Sequence, residues 1–301
     1  MTDLADISRD YWPNGDRYYT DGTMKAPSVT VILGYLEEDQ GGLDWWKRTN
    51  NGRGNNADHE HLFWYKGVRG TMCHYHGLSR FEDSFYSDDT MFGHGEMEAT
   101  QQLLDANHDD DIIYSILKDH GYVDDWYDYN TYYDDHTLMD IHSQDVDTFM
   151  DGFEEVCDIL SIDNDSVIMV EQYVLHDELC YGGQADLLYE DPDGNVVLAD
   201  IKTSSSLRQK HVLQGVAYKH AIEHMDDIDI EHVDRLEVLR IHPESSEWEI
   251  HSNDEATEHH TTEGWFESPY GDWEYESIEE MWDTFERLCI RAHADLICRE
   301  H

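Results

Sequence analysis

The sequence predicts an α/β domain, a central sheet covered by helices, with a helical stretch before it and an acidic insert between. Three observations carry that expectation. Three mid-chain segments (SVIMVEQYVLHD, YGGQADLLYE and NVVLADIKT) have strand composition and short-range alternation. Apolar residues recur at helical spacing on both sides of them. A strong turn sequence, Asp-Pro-Asp-Gly at 191–194, ties the second segment to the third as a hairpin.

Taken in order, residues 27–36 (PSVTVILGYL) open with Pro and Ser, a helix-start signal, and continue into an apolar stretch. LDWWKR at 43–48 and HEHLFWYK at 59–66 read as short helices separated by the turn NNGRGNN. A helix beginning near Arg69 would carry Thr71, His74 and Leu78 along one side. Residues 83–150 form an Asp/Tyr-rich insert, with helices expected near 96–120 and an acidic loop after Gly121. From 146 to 160 the spacing of Val146, Phe149, Met150, Phe153, Val156 and Leu160 is helical. After the three strands come a helix at 207–224, a strand at 235–243 and a last amphipathic helix near 277–298. The expected organisation is one domain over 1–301: a helical part at 27–82, the insert at 83–150, a core at 151–245 and a helical tail at 246–301.

Composition narrows the function classes. There are 68 Asp and Glu against 19 Lys and Arg, a formal net charge of −49, yet 12% of residues are aromatic, too many for a disordered acidic chain. In molar salt the Debye length is only about 3 Å, so self-repulsion largely disappears. The composition therefore reads as adaptation to a salt-rich cytoplasm, as in halophilic archaea and their viruses, and acidity does not exclude DNA as partner. No run of about eighteen apolar residues suggests a membrane span, and the opening MTDLADISRD lacks the regions of a signal peptide. Five scattered cysteines without a CxxC pair fit a reducing cytoplasm.

The few cations are unevenly placed. Lys47, Arg48, Arg53, Lys66, Arg69 and Arg80 form one island; Lys202, Arg208, Lys210 and Lys219 form another with no acid among them. Both are candidate phosphate contacts, the alternative being internal salt bridges. Trp45, Trp46, Trp64 and Tyr65 are packing residues or, near the first island, platforms for unpaired bases. The EHH at 258–260 reads as solvated tail rather than a metal site.

The hairpin carries the chemistry. With the turn centred on Pro192 and Asp193, Asp186 faces Ala199 or Asp200, and Asp200 and Lys202, two apart, share a face. Two carboxylates buried side by side are costly unless a cation joins them, and Mg²⁺ or Mn²⁺ suits such oxygen ligands. Such an ion polarises a phosphodiester and acidifies a bound water. Lys202 would orient or deprotonate that water, or stabilise the charge at phosphorus.

The run from Glu171 through Ala185-Asp186 and Asp200-Ile201-Lys202-Thr203-Ser204, followed by Gln214-GVA-Tyr218, resembles the core of the PD-(D/E)XK nucleases. More narrowly it is similar to the RecB-like and phage-type exonucleases, a group that includes the mitochondrial genome maintenance exonuclease. The family's G-x-x-x-H helix is matched by Gly70-TMC-His74 and its PSVT element by the start of 27–36. The resemblance implies a restriction-endonuclease-like mixed central sheet. It implies Asp186 and Asp200 as metal ligands, Lys202 as the catalytic lysine and His74 as a further ligand. Glu171 would hold a second metal or its water, the Ile201 carbonyl would face the metal, and Gln214 and Tyr218 would lie beside the scissile phosphate. His76, His59 and His61 compete with His74, Glu171 has the alternative of an ordinary exposed acid, and Tyr218 that of a core residue. Some relatives hold an iron–sulfur cluster through one upstream and three C-terminal cysteines. Cys289 and Cys298 do not supply that pattern, so no cluster is expected. The insert and the tail after 245 align with nothing in the family. The expected activity is metal-dependent DNA exonuclease action in replication, recombination or repair. The alternatives are a structure- or sequence-specific endonuclease on the same fold and a non-catalytic acidic DNA mimic.

Overall fold

The computed structural model describes residues 7–12, 16–36, 69–81 apart from 71, 72 and 75, 138–268 apart from 205, 226, 227 and 229, and 273–299. The helices expected at 43–48, 59–66 and 96–120 lie outside the described residues, as do Lys47, Arg48, Arg53, Lys66, Trp45, Trp46, Trp64, Tyr65, His59 and His61.

The architecture is a six-stranded mixed sheet flanked by helices. Three short strands come first, β1 (Ser8–Tyr11), β2 (Arg17–Thr20) and β3 (Ala26–Pro27), paired antiparallel as a small separate sheet. Nothing in the sequence reading placed elements there, because strands of four, four and two residues are too short to display a period. Helix α1 (Val29–Leu33) is shorter than the apolar stretch around it; its Ser28 cap accepts the Val31 amide at 3.2 Å. The described helical residues of α2 fall at 69–70, 73–74 and 76–78.

Helix α3 (Leu138–Leu160) starts eight residues before its apolar stripe does. Val146, Phe149, Phe153, Val156 and Leu160 are buried as their spacing predicts. The main sheet follows with β4 (Val167–His176), β5 (Tyr181–Glu190) and β6 (Val196–Lys202), each antiparallel to the last. Helix α4 (Gln209–His224) crosses over to β7 (Arg235–Ile241), which lies parallel to β6. The tail is not wholly helical: β8 (Trp248–Ser252) and β9 (His260–Thr261) extend the sheet before the final helix α5 (Ile278–Arg299).

Each face of the sheet has its own core. One holds residues of α1, α4 and α5; the other holds residues of α2 and α3. Alternation along β6 is plain from this division, since Leu198 enters the first core and Val197, Ala199 and Ile201 the second. The turn is as read: Asp191 accepts from the amides of Asp193 and Asn195, both at 2.9 Å, and Gly194 takes φ +85°. His260 corrects the solvated-tail reading. Its side chain is fully buried and its Nε2 lies 2.8 Å from Glu237, which also pairs with Arg235 and accepts the Tyr189 hydroxyl. Once β9 joins the sheet edge, this histidine becomes the neighbour a buried glutamate requires.

No helix among the described residues is long and apolar enough to cross a membrane.

Candidate active site

Register brings the acids together. Pairing of Val170 with Leu187 and of Gln172 with Ala185 sets Glu171 opposite Asp186. Pairing of Leu187 with Ala199 carries the same row on to Asp200. Three carboxylates thus stand on three neighbouring strands at one level, all buried, with Glu171 6%, Asp186 7% and Asp200 2% exposed. Glu171 is therefore not an ordinary exposed acid. Its backbone is left-handed, φ +47° in mid-strand. For a residue with a Cβ that conformation costs roughly 1–2 kcal/mol. Strain of this kind concentrates at functional sites, and here it breaks the alternation of β4 at the residue that meets His74.

The remaining members arrive from three elements. His74 on α2 has Nδ1 3.6 Å from Glu171 Oε1 and 3.7 Å from Asp186 Oδ2. Ligand atoms of His74, Glu171 and Asp186 all lie within 4.8 Å of one another. His76 is not part of this group. Lys202 Nζ contacts Asp200 Oδ2 at 2.6 Å. The Ile201 amide donates to Asp186 Oδ2 at 2.7 Å, fixing that carboxylate, while the Ile201 side chain is buried in the α3 core. On α4, Gln214 Nε2 donates to the Tyr218 hydroxyl at 3.0 Å, so these two do share a face. The Tyr218 ring packs against Gly183, where an added Cβ would stand 2.2 Å from Cε1. Tyr218 is thus buried and also electrostatically coupled to Asp186 and Asp200.

Electrostatics mark the cluster as one unit. Burial raises the Asp186 carboxyl against the pull of His74 and Lys202. Burial, resisted by Lys202 and reinforced by Asp186, pushes Asp200 up to about 6. Burial depresses the Lys202 ammonium and the His74 imidazole, but the surrounding carboxylates outweigh it and both rise. A divalent ion fits these residues. Asp200 Oδ1 is buried with no hydrogen-bond partner, and an orphaned carboxylate oxygen beside two other acids calls for a cation. Three carboxylates and one imidazole suit Mg²⁺ or Mn²⁺.

Three neighbouring side chains turn inward. Arg69, a candidate phosphate contact with internal salt bridging as its alternative, follows the alternative: it is buried, and its Nη1 meets Asp145 of α3 at 2.7 Å and Glu244 beyond β7 at 2.8 Å. It braces the helix that carries His74, and Gly70 lets that helix approach β6, an added Cβ standing 3.3 Å from Thr203 Oγ1. Its proximity to two distant acids left no local signal. His211, buried on α4 near Lys202, is held well below its usual range by burial and then by Lys202. Its Nδ1 accepts the Arg208 amide at 3.3 Å, capping the helix. Lys219 of the second island is likewise internal, bonded to Glu223 and to the Val233 carbonyl.

Arg69→Ala is expected to cost about 3 kcal/mol in urea unfolding, because the buried Asp145 loses the guanidinium that neutralises it. Weaker Mn²⁺ binding should accompany it as His74 loses its brace. A loss below about 0.5 kcal/mol would mark the contact as a screened surface pair.

A second group, His176, Asp177 and His224, also gathers ligand atoms within 4.8 Å. Its two imidazoles stack at 4.1 Å with planes 11° apart. A metal lies near the plane of each imidazole it binds, so parallel rings cannot share one without turning.

The chain matches no known family model and no curated protein sequence.

Proposed function

We propose that the protein is a Mg²⁺- or Mn²⁺-dependent DNA exonuclease built on a PD-(D/E)XK, restriction-endonuclease-like core. One observation carries the reading: the row Glu171, Asp186 and Asp200 across β4, β5 and β6, with Lys202 paired to the last and His74 closing over the first two. Two antiparallel pairs followed by a parallel one across α4 support the same core.

The residues divide the work. Glu171, Asp186, Asp200 and His74, with the Ile201 carbonyl, would hold the ion. Bound there, it would supply Lewis acidity to a phosphodiester and acidify a water. Lys202, held as an ion pair, sets a fixed positive charge where charge develops on the phosphate oxygens, and needs no reorganisation to do so. Gln214 and Tyr218, locked to each other, orient the phosphate from α4. Hydrolysis joins water oxygen to phosphorus and breaks the bond to the leaving sugar oxygen, which takes a proton. DNA is the expected partner, and replication, recombination or repair the setting, because end-directed digestion serves those processes.

The test is digestion of end-labelled linear and closed circular DNA in molar KCl with Mn²⁺ or Mg²⁺. Loss of the linear form alone is the expected outcome. Cutting of the closed circle would replace the exonuclease with an endonuclease. Intact substrates beside folded protein would favour a non-catalytic DNA mimic.

A further inference from the structure

The small N-terminal sheet abuts the site. In the β1–β2 register Arg9 lies across from Tyr19 and Tyr11 across from Arg17. Partners in register and residues two apart share a face, so Arg9, Tyr11, Arg17 and Tyr19 occupy one side of this hairpin. That side is turned toward the candidate site. Tyr19 packs edge-on against Tyr173 at 5.4 Å, and Tyr173 stands two residues from Glu171. Tyr19 also rests on Gly182, where an added Cβ would be 2.7 Å away, next to the Gly183 that seats Tyr218. A parallel bridge from Ser28 to Gly182 fixes the small sheet to β5.

The opposite side of the hairpin is satisfied internally. Tyr18 donates to Asp10 at 2.7 Å, Trp12 lies 4.9 Å from the Tyr18 ring, and Lys25 sits over it at 4.6 Å. On the site side the outer members reach the surface: Arg17, hydrogen-bonded to Tyr19, is exposed, and Tyr11 is 50% exposed. Arg9 and Arg17 both act electrostatically on Tyr19 and on Tyr173, which puts the two guanidinium groups along the same path.

We propose that this face of β1 and β2 is the track for a single DNA strand running to the acidic cluster, with Arg9 and Arg17 on phosphates and Tyr11 stacked on a base. The inference rests on the nuclease reading for its direction, though not for its measurement. Charge supports it: with 19 cations against 68 acids, two arginines kept on the side of the site are a local exception. In molar salt long-range attraction is screened, so a polyanion must be held by close guanidinium–phosphate bonds and by stacking. An open tyrosine favours the single strand, because a duplex keeps its bases paired and covered.

The measurement is fluorescence anisotropy of labelled oligothymidylate in molar KCl with Ca²⁺, using full-length Lys202→Ala protein so that nothing is cut. Tyr11→Ala is expected to weaken binding about tenfold, and Arg9→Gln with Arg17→Gln by tenfold or more, with unchanged melting temperature and Mn²⁺ response. Duplex DNA should bind more weakly and ignore Tyr11→Ala. Should Arg9→Gln disturb folding, Arg17→Gln and Tyr11→Ala, both at exposed side chains, decide alone. Parental affinity in those two variants, or an equal effect on duplex, overturns the proposal. Binding that depends on this face in a protein that never cuts DNA would overturn the nuclease reading and leave the track standing.

Discussion

Lys202→Ala is expected to lower DNA hydrolysis by about a thousandfold or more while leaving the fold and the metal affinity in place. Among the described residues Lys202 is the ammonium in contact with the acidic row, 2.6 Å from Asp200 Oδ2. Charge developing on a phosphate in the transition state meets this group before any water can reorient, so its removal raises the barrier and spares ground-state binding. The same substitution takes a positive charge away from three carboxylates, so Mn²⁺ should bind as tightly as before or more tightly. Single-turnover cleavage beside calorimetric Mn²⁺ titration separates the two effects. Cleavage within tenfold of the parent would remove Lys202 from the chemistry. Lost Mn²⁺ binding would mean that the lysine serves the fold of the cluster instead.

Asp200→Asn should make the metal-free protein more stable at pH 8, by roughly 2–3 kcal/mol. Burial lifts the Asp200 carboxyl to about 6 in the folded protein, whereas an unfolded aspartate titrates near about 3.9. The folded state thus holds the proton more tightly than the unfolded state. The associated stability is fully present below the unfolded value and is lost as pH rises through about 6. Asparagine mimics the protonated form at every pH, so its advantage should grow between about pH 4 and 7 and level off above. Lys202 keeps Asp186 as an opposite charge in the variant. Saturating Mn²⁺ should reverse the order, because only the aspartate gains a ligand bond, and wild-type Mn²⁺ affinity should climb over the same pH window. Paired thermal melts of the two proteins, with and without Mn²⁺ across that range, give the answer. The comparison cancels the repulsion among the other acids, which both proteins share. A variant less stable than wild type at pH 8 without metal would contradict the burial account of this site.

Much of the hairpin could be read locally. A turn residue set, a two-residue period and the separation of Asp200 from Lys202 act over a few bonds, and the structure keeps each. The helical stripe of α3 and the Gln214–Tyr218 pair are equally short-range, and both hold. Cations were another matter. Arg69 and Lys219 looked like surface charge in a basic island, yet both turn inward: Arg69 pairs with Asp145 and Glu244, which folding brings from far along the chain, and Lys219 pairs with Glu223 one helical turn on and with the Val233 carbonyl. His260 passed for solvated tail until β9 joined the sheet and set it against Glu237.

The sequence by itself determined which residues share the face of β6, where the hairpin turns and that Gln214 and Tyr218 meet on one helix face, since backbone geometry repeats every two residues in a strand and every three to four in a helix. Only the tertiary structure decided that Glu171 belongs to the row. That placement needs a left-handed residue within β4 and a register set by pairing across fourteen intervening positions. Only the tertiary structure decided that Arg69 is a brace and that the first strands pack against β4 and β5 beside the acidic row. A charge is neutralised by whatever lies nearest in space, and nearness in space is fixed by packing.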